Sequence, residues 1–385
     1  MPTLLMRAFW LQPFHYGSLL GLVMLFIIYR IQTQERPDRQ SVGDFSEHVQ
    51  ALMRPLHELT EHDYQLNERI SELTNLVLDL KATKSVSPQE LYQLAKVSML
   101  YGDPNELYER AIITHEIHAS QQGYTQLVLR NQIADGYWNK PYYLLALLIS
   151  EMSKDPWSRL KWLMWFDADS VLLNPSFGVQ VFLPPEDLSG VHFLVTKDDN
   201  GLNSGVFFVR VHEQSIRILT KSINYPEFKP DTNLGYSVDQ MAMQLTFNES
   251  QFHQNIAYLP RPWFNANVNE PKEGDLLVHF PGLVDRDTHL KWWLEQVEGQ
   301  EAVKWNVSLH QTDYDQRMGD FWKQFREMRE LNATINEQYD LSLFPENATT
   351  AVENFADVVY YATDDAERME QARIVLEDAL GMHGL

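Results

Sequence analysis

The spacing of apolar and polar positions changes character along this chain, and each change marks a different kind of element. From Ala8 to Ile31 most positions are apolar, densest from Leu19 to Tyr29. That length matches the roughly 20 residues a helix needs to cross a bilayer. Trp10, Tyr16 and Tyr29 are placed for the interfaces, no small-residue cleavage motif follows, and Arg30 opens a polar run, so the pattern predicts a retained anchor. Arg7 and the free amino terminus favour a cytosolic N-terminus, whereas Arg30, Arg36 and Arg39 count the other way, so charge alone does not orient it. A polar linker follows. Leu52, Leu59, Leu66, Leu73 and Leu80 then recur every seven residues, with Leu56, Ile70 and Val77 on the companion row and Asp63 interrupting it. Such a seam fits a coiled coil with a partner chain, and equally one long helix packed on its own domain.

Beyond Ser85-Val86-Ser87-Pro88 the period alternates between strand-like and helix-like. Ala95 to Tyr101 is predicted as a first strand, Leu107 to Ser120 as a helix, Thr125 to Arg130 as a strand and Pro141 to Met152 as a helix. Leu160-Lys161-Trp162-Leu163-Met164-Trp165-Phe166 is predicted as a buried central strand. Alternation of this kind predicts an α/β fold, a mainly parallel central sheet with flanking helices on both faces.

Composition narrows the chemistry. The 385 residues include 10 Trp, 17 Tyr and 19 Phe, enough for a large packed core. A net charge of -22 without a Lys/Arg cluster argues against nucleic acid as a partner. With no cysteine, disulfides, thiolate metal sites and cysteine nucleophiles are excluded.

The sharpest local signal is Phe166-Asp167-Ala168-Asp169-Ser170, which closes the central strand where open α/β sheets place their ligands. Carboxylates at i and i+2 point the same way in extended chain and can converge on one divalent ion, which could bridge diphosphate oxygens; an isolated D-x-D is also common in plain solvated loops. Gly201-Leu202-Asn203-Ser204-Gly205 precedes a strand, Val206 to Val209, as a loop with room for a polar ligand or as a plain connection. Asp239-Gln240 opens a helix from Met241 to Phe247, where the carboxylate either caps the helix or acts in catalysis. His279, in Leu276-Leu277-Val278-His279-Phe280-Pro281-Gly282, is either a hydrogen-bonded core histidine or a third ligand completing an oxygen/nitrogen set suited to Mn2+.

Trp165-Phe166-Asp167-Ala168-Asp169, then Gly201 to Gly205, Asp239-Gln240 and His279-Phe280-Pro281-Gly282 resemble, in that order, the motifs of glycosyltransferase family 34. That family includes fungal α-1,2-galactosyltransferases, subunits of a fungal α-1,6-mannosyltransferase complex and plant xyloglucan xylosyltransferases. The resemblance covers roughly residues 91 to 295 and implies a GT-A fold, with a short cytosolic tail and start of anchor over 1–15, the core of a transmembrane signal-anchor over 16–31, a stem over 32–90 with a coiled coil over 49–84, a GT-A catalytic domain over 91–300 and an acidic helical C-terminal extension over 301–385. It implies a single-pass type II protein of the Golgi membrane with its catalytic domain luminal. The expected metal ligands are Asp167, Asp169 and His279. Asp167 also contacts the nucleotide, and Tyr101, Gly205, Gly282 and Arg286 are grouped with the donor-binding residues. Asp239, Gln240 and Asn203 form the expected catalytic set, with Asp239 on the transferred sugar and Gln240 near its anomeric carbon. The implied reaction is transfer of a hexose, galactose or mannose, from UDP-Gal or GDP-Man to a glycan hydroxyl with retention, using Mn2+. Front-side attack, with the acceptor proton passing to the departing phosphate, needs no enzyme nucleophile.

The chain departs from the family pattern after Gly282. Arg286 stands between Asp285 and Asp287, so it is either a diphosphate contact or a surface ion pair. Sequons at Asn248, Asn306, Asn332 and Asn347 suggest luminal exposure, provided those asparagines lie on the surface. The heptad leaves open homo- or hetero-oligomers through the stem. A non-catalytic scaffold subunit of a Golgi glycosyltransferase complex is the alternative function, and a metal-dependent carbohydrate-binding protein the third.

Overall fold

The computed structural model describes residues 93–299, 302–340 and 343–381. The expected tail, anchor, stem and coiled coil lie outside the described residues, among which no helix is long and apolar enough to cross a membrane.

In chain order the main elements are β1 (Leu94–Met99), α1 (Glu106–Gln122), β2 (Thr125–Leu129), α2 (Asn139–Met152), β3 (Trp162–Phe166), β4 (Ser170–Leu172), β5 (Phe193–Asp198), β6 (Gly201–Arg210), α3 (Glu213–Ile223), α4 (Val238–Phe247), β7 (Ile256–Tyr258), β8 (Ala266–Asn267), β9 (Leu277–His279), α5 (Arg286–Glu298), α6 (Tyr314–Gln338), α7 (Glu346–Tyr361) and α8 (Ala366–Leu380). The main sheet runs β2-β1-β3-β6-β5-β7, and only β6 opposes the common direction. Its reversal has a local cause. Asp198 pairs with Gly201 across the two-residue turn Asp199-Asn200, and so short a link can only form an antiparallel hairpin. Gly201 takes φ +100°, backbone that residues with a Cβ avoid. The stretch Gly201 to Gly205, expected to be a loop, is therefore the first half of a ten-residue strand. It carries small and polar side chains, yet hydrogen bonding to β3 and β5 on either side holds it extended.

Both faces of this sheet are covered, which explains the unbroken apolar run of β3. Trp162, Met164 and Phe166 face α1 and α6, while Leu163 and Trp165 face α2, α3 and α4. Helix α6 brings Tyr314, Met318, Phe321, Trp322 and Phe325 into the same core as β3, at the spacing of one helical face. The first long helix of the expected C-terminal extension is thus part of the sheet's own core. A second sheet, β4-β9-β8, branches off where β3 ends, and Asp167-Ala168-Asp169 is the link between the two sheets.

Three of the four sequon asparagines, Asn248, Asn306 and Asn347, are exposed. Asn332 is not: it is 2% exposed within α6, and its amide donates to the Tyr360 hydroxyl at 3.1 Å. The sequence expectation of surface exposure fails there, because the position faces the α6–α7 packing.

The core also holds histidines kept neutral. Burial pushes His192 down to about 3, helped by stacked His212 and by Arg210. Burial and Lys96 push His115 and His118 down as well. Unfolded histidines titrate near 6.5, so below that pH the unfolded chain binds protons that the folded chain does not. This stabilising contribution is complete above about pH 6.5 and is lost as pH falls below it, by about 2 kcal/mol at pH ~5 for His192. Tm is therefore expected to fall between about pH 7.5 and 5, with a shallower slope in His192→Phe; a pH-independent Tm in thermal melts would contradict it.

Candidate functional site: an acidic pair, a histidine and a buried lysine

Strand β3 ends between β1 and β6, and Asp167 continues the ladder by donating its N–H to Gly205 O at 2.7 Å. Two residues later β4 pairs with β9 in a register that sets Ser170 opposite His279, and Phe280 N donates to Asp169 O at 3.0 Å. Strand pairing, not chain proximity, therefore brings the histidine to the carboxylates. One ligand atom from each of Asp167, Asp169 and His279 lies within 4.8 Å of the others.

The histidine tautomer follows from its neighbours. Asn265 donates its amide to Thr196 Oγ1 at 2.7 Å and to Asn203 Oδ1 at 3.0 Å, so its oxygen faces His279 Nδ1 at 2.8 Å and requires a proton there. With Nδ1 taken by Asn265, Nε2 turns to Asp169 Oδ1, 3.5 Å away, and a cation shared between the two atoms suits that pair. Two carboxylates and an imidazole with its second nitrogen held by an amide make a donor set that fits a divalent ion such as Mn2+.

Around this set lie a base and an acid that are nearly inaccessible to solvent. Lys140, in the first turn of α2, places Nζ 3.1 Å from Asp167 Oδ1, 2.9 Å from Ser204 O and 3.8 Å from Asp239 Oδ2. Burial would lower its pKa, but Asp167 and Asp239 more than offset that and hold it above the ordinary lysine value, so it is charged. Asp239 is 2% exposed, and burial pushes its carboxyl up despite Lys140. Its Oδ2 has no hydrogen-bond donor. Trp165 Nε1 donates to Asp167 Oδ1 at 2.7 Å. Behind the turn, Ser170 Oγ donates to Asp167 O at 2.6 Å and meets His115 Nε2 at 3.2 Å, and the His115 ring stacks on Phe166.

The other expected residues divide into those at the site and those behind it. Asp239 is the second residue of α4, where its carboxylate faces Lys140 and also meets backbone N–H groups of the first turn; Ser237 is the residue before the helix and makes no side-chain cap bond. Gln240 Oε1 accepts from Ser204 N at 2.9 Å, which ties α4 to β6. Asn203 Oδ1 accepts from Gly205 N and Asn265, and its amide donates to Asp198. Its polar atoms are all engaged, so it supports His279 through Asn265. A Cβ on Gly205 would lie 1.9 Å from His279 Cε1, so this glycine makes room for the histidine ring. Arg286 pairs with neither acidic neighbour. Its Nε lies 3.2 Å from Asp169 Oδ2, without hydrogen-bond alignment, and it donates to the Tyr108 hydroxyl at 3.3 Å. Asp285 instead meets His289. Gly282 turns at φ +65° between His279 and Arg286, with open space where a Cβ would be. Tyr101 lies just past the C-terminal end of β1, the neighbour of β3.

Lys140 and Asn265 were not identified from sequence. Lys140 is one lysine before a proline, and Asn265 sits in Trp263-Phe264-Asn265-Ala266-Asn267, whose aromatics mask it.

Residues 186–289 match the model of the galactosyl transferase GMA12/MNN10 family. That range runs from before β5 into α5 and includes Asn203, Gly205, Asp239, Gln240, Asn265, His279 and Arg286. In Schizosaccharomyces pombe, a probable alpha-1,2-galactosyltransferase gmh1 is 25% identical over 38% of this chain and 53% of its own length. An alpha-1,2-galactosyltransferase from the same organism is 24% identical over 37% of this chain and 46% of its own. The chain thus spans about half the length of the curated relatives it matches. Among solved structures, a glycosyltransferase involved in the glycosylation of the major capsid of PBCV-1 overlaps 52% of this chain and 98% of its own, with 16% identity and a TM-score of 0.41. Over residues 186–289 the chain is thus similar to the galactosyl transferase GMA12/MNN10 family, glycosyltransferase family 34, in agreement with the motifs and the relatives.

Proposed function

We propose that the chain is a retaining, Mn2+-dependent glycosyltransferase that moves a hexose from a nucleotide diphosphate-sugar to a glycan hydroxyl. The observation that carries this reading is the convergence of Asp167, Asp169 and His279 at the end of β3. The names of the relatives favour galactose, and hence UDP-Gal, over mannose from GDP-Man. We extend the proposal to a single-pass type II protein anchored in the Golgi membrane by residues 8–31, with its catalytic domain luminal and oligomers formed through the stem; these rest on the sequence pattern alone.

In this mechanism Asp167, Asp169 and His279 would hold the metal, which would supply positive charge to the departing diphosphate. Arg286, beside Asp169, adds a fixed positive charge on the same side. Asp239 Oδ2, buried and without a donor, accepts a hydroxyl of the transferred sugar, and Lys140 keeps that carboxylate and Asp167 in place. Burial of Lys140 and Asp239 keeps water from that side of the reacting centre, which favours transfer over hydrolysis. The residues act by position and charge, in keeping with front-side attack.

The test is turnover of a panel of UDP- and GDP-sugars by the purified full-length chain with Mn2+, with product anomers read by NMR. One donor consumed, with its anomeric configuration kept, supports the proposal; silence on every donor from folded protein, with and without glycan acceptors, refutes it. Asn265→Ala frees His279 to change tautomer and is expected to weaken Mn2+ binding by roughly 10–100-fold in titration calorimetry. An unchanged affinity would remove Asn265 from this role.

A further inference from the structure

Two exposed tyrosines stand beside the buried lysine–aspartate pair, and the mechanism above uses neither. Tyr137 is 38% exposed and Tyr236 84% exposed, and their rings meet edge to face with centroids 5.3 Å apart. They come from segments far apart in sequence that repeat one local pattern. Gly136-Tyr137 precedes Lys140 by the same spacing as Gly235-Tyr236 precedes Asp239. Each tyrosine follows a glycine in left-handed backbone, φ +53° at Gly136 and +67° at Gly235, with nothing where a Cβ would lie. Since Lys140 Nζ and Asp239 Oδ2 are 3.8 Å apart, the two rings are carried on the same two helix entries that position this pair.

The arrangement is held in place before any ligand arrives. Asn139, fully buried, accepts from Ile133 N and Ala134 N and donates to Ala134 O and Gly136 O, four bonds that fix the turn carrying Tyr137. Asn233 Oδ1 accepts from Gly235 N and shapes the turn carrying Tyr236. Asp239 and Arg286 both act on the Tyr137 hydroxyl, after burial and Tyr236 as the larger influences, so this ring lies within electrostatic reach of the site.

Resting on the glycosyltransferase reading, we propose that Tyr137 and Tyr236 form an aromatic platform that binds the acceptor as a neutral oligosaccharide, stacking its pyranose C–H faces on the rings beside Asp239. Tyrosine suits this occupant, since its face takes apolar sugar C–H groups while its hydroxyl stays in water or bonds a sugar hydroxyl. A rigid aromatic pair also contributes contact area at low conformational cost. The nucleotide base is the other planar or apolar group in the reaction. The position favours the sugar side, because the rings sit on the turns that lead into Lys140 and Asp239, whereas the diphosphate-directed groups are Asp169, His279 and Arg286.

The test is saturation-transfer NMR on the full-length chain, in a detergent without a sugar headgroup, with UDP and Mn2+ present and a panel of neutral α- and β-linked trisaccharides. Saturation is expected to reach the C–H protons of at least one trisaccharide, to fall by roughly tenfold in the Tyr137→Ala/Tyr236→Ala double variant, and to persist in Tyr137→Phe/Tyr236→Phe, which keeps both rings. Trp157→Ala, at an aromatic 88% exposed and outside the site, should behave as the parent. Equal signal in parent and double alanine variant overturns the platform, as does no trisaccharide signal at all. UDP binding lost in that variant while trisaccharide binding stays assigns the pair to the base and also overturns it. Donor hydrolysis without acceptor is read separately, so failure of the enzyme reading shows as silence there whatever the tyrosines do.

Discussion

Asp169→Ala is expected to reduce donor turnover by roughly 1,000-fold or more, the scale of losing a metal or a principal charge-stabilising group. Asp169 is the member of the triad that meets both other parts of the diphosphate side, with Oδ1 3.5 Å from His279 Nε2 and Oδ2 3.2 Å from Arg286 Nε. Burial alone would raise its carboxyl, yet His279 and Arg286 hold it below the ordinary aspartate value, so it is ionised and ready to ligate. Its removal leaves Asp167 and His279 without the oxygen between them. Folding should be little affected, because Arg286 is partly exposed and keeps its bond to Tyr108. The decisive comparison is turnover and Mn2+ affinity against Tm in one variant. Turnover within tenfold of the parent would refute metal-dependent catalysis at this triad.

Lys140→Met is expected to destabilise the fold by about 3–5 kcal/mol, a fall in Tm of roughly 5–10 °C for a domain of this size. The substitution keeps most of the apolar stem, which lies near the Trp165 ring, but removes the positive charge facing two carboxylates. Asp167 retains the Trp165 indole N–H, whereas Asp239 Oδ2 has no donor and becomes an uncompensated buried charge. Adding Asp239→Asn to Lys140→Met should therefore recover part of the loss, although Asp239→Asn alone destabilises. A double-mutant cycle in which the two losses simply add would show that the 3.8 Å pair contributes nothing. Activity should be lost in both single variants, so stability is the informative readout.

These expectations rest on some residues that were readable in the sequence and some that were not. Asp167 and Asp169 stood out because five apolar residues of β3 run straight into them, and a strand buried on both faces leaves that trace. His279 was readable as one of two alternatives that only the resemblance separated, since its partners come from a strand pairing that no local pattern encodes. Gly201 to Gly205 misled because small polar residues normally mean a loop; here they are strand residues chosen for what lies against them, His279 over Gly205 and Gln244 at Gly201. Lys140 escaped for a different reason. A lysine in the first turn of a helix reads as solvated, and only the packing of α2 beside β3 and β6 turns it inward. Asn332 shows the same limit in reverse, because a sequon records three residues and not which side of a helix they occupy.

The contribution of α6 to the core bears on how the protein is made. The sheet face of Trp162 and Phe208, with Phe182 and Phe264 packed on it, is closed by Tyr314, Phe321 and Phe325, towards the opposite end of the described chain from β1. On the ribosome, at roughly 5–20 residues per second, that apolar face waits on the order of ten seconds for its last layer. During that interval a nascent chain has reason to engage a chaperone, and a product released early, ending near residue 300, would carry the uncovered face permanently.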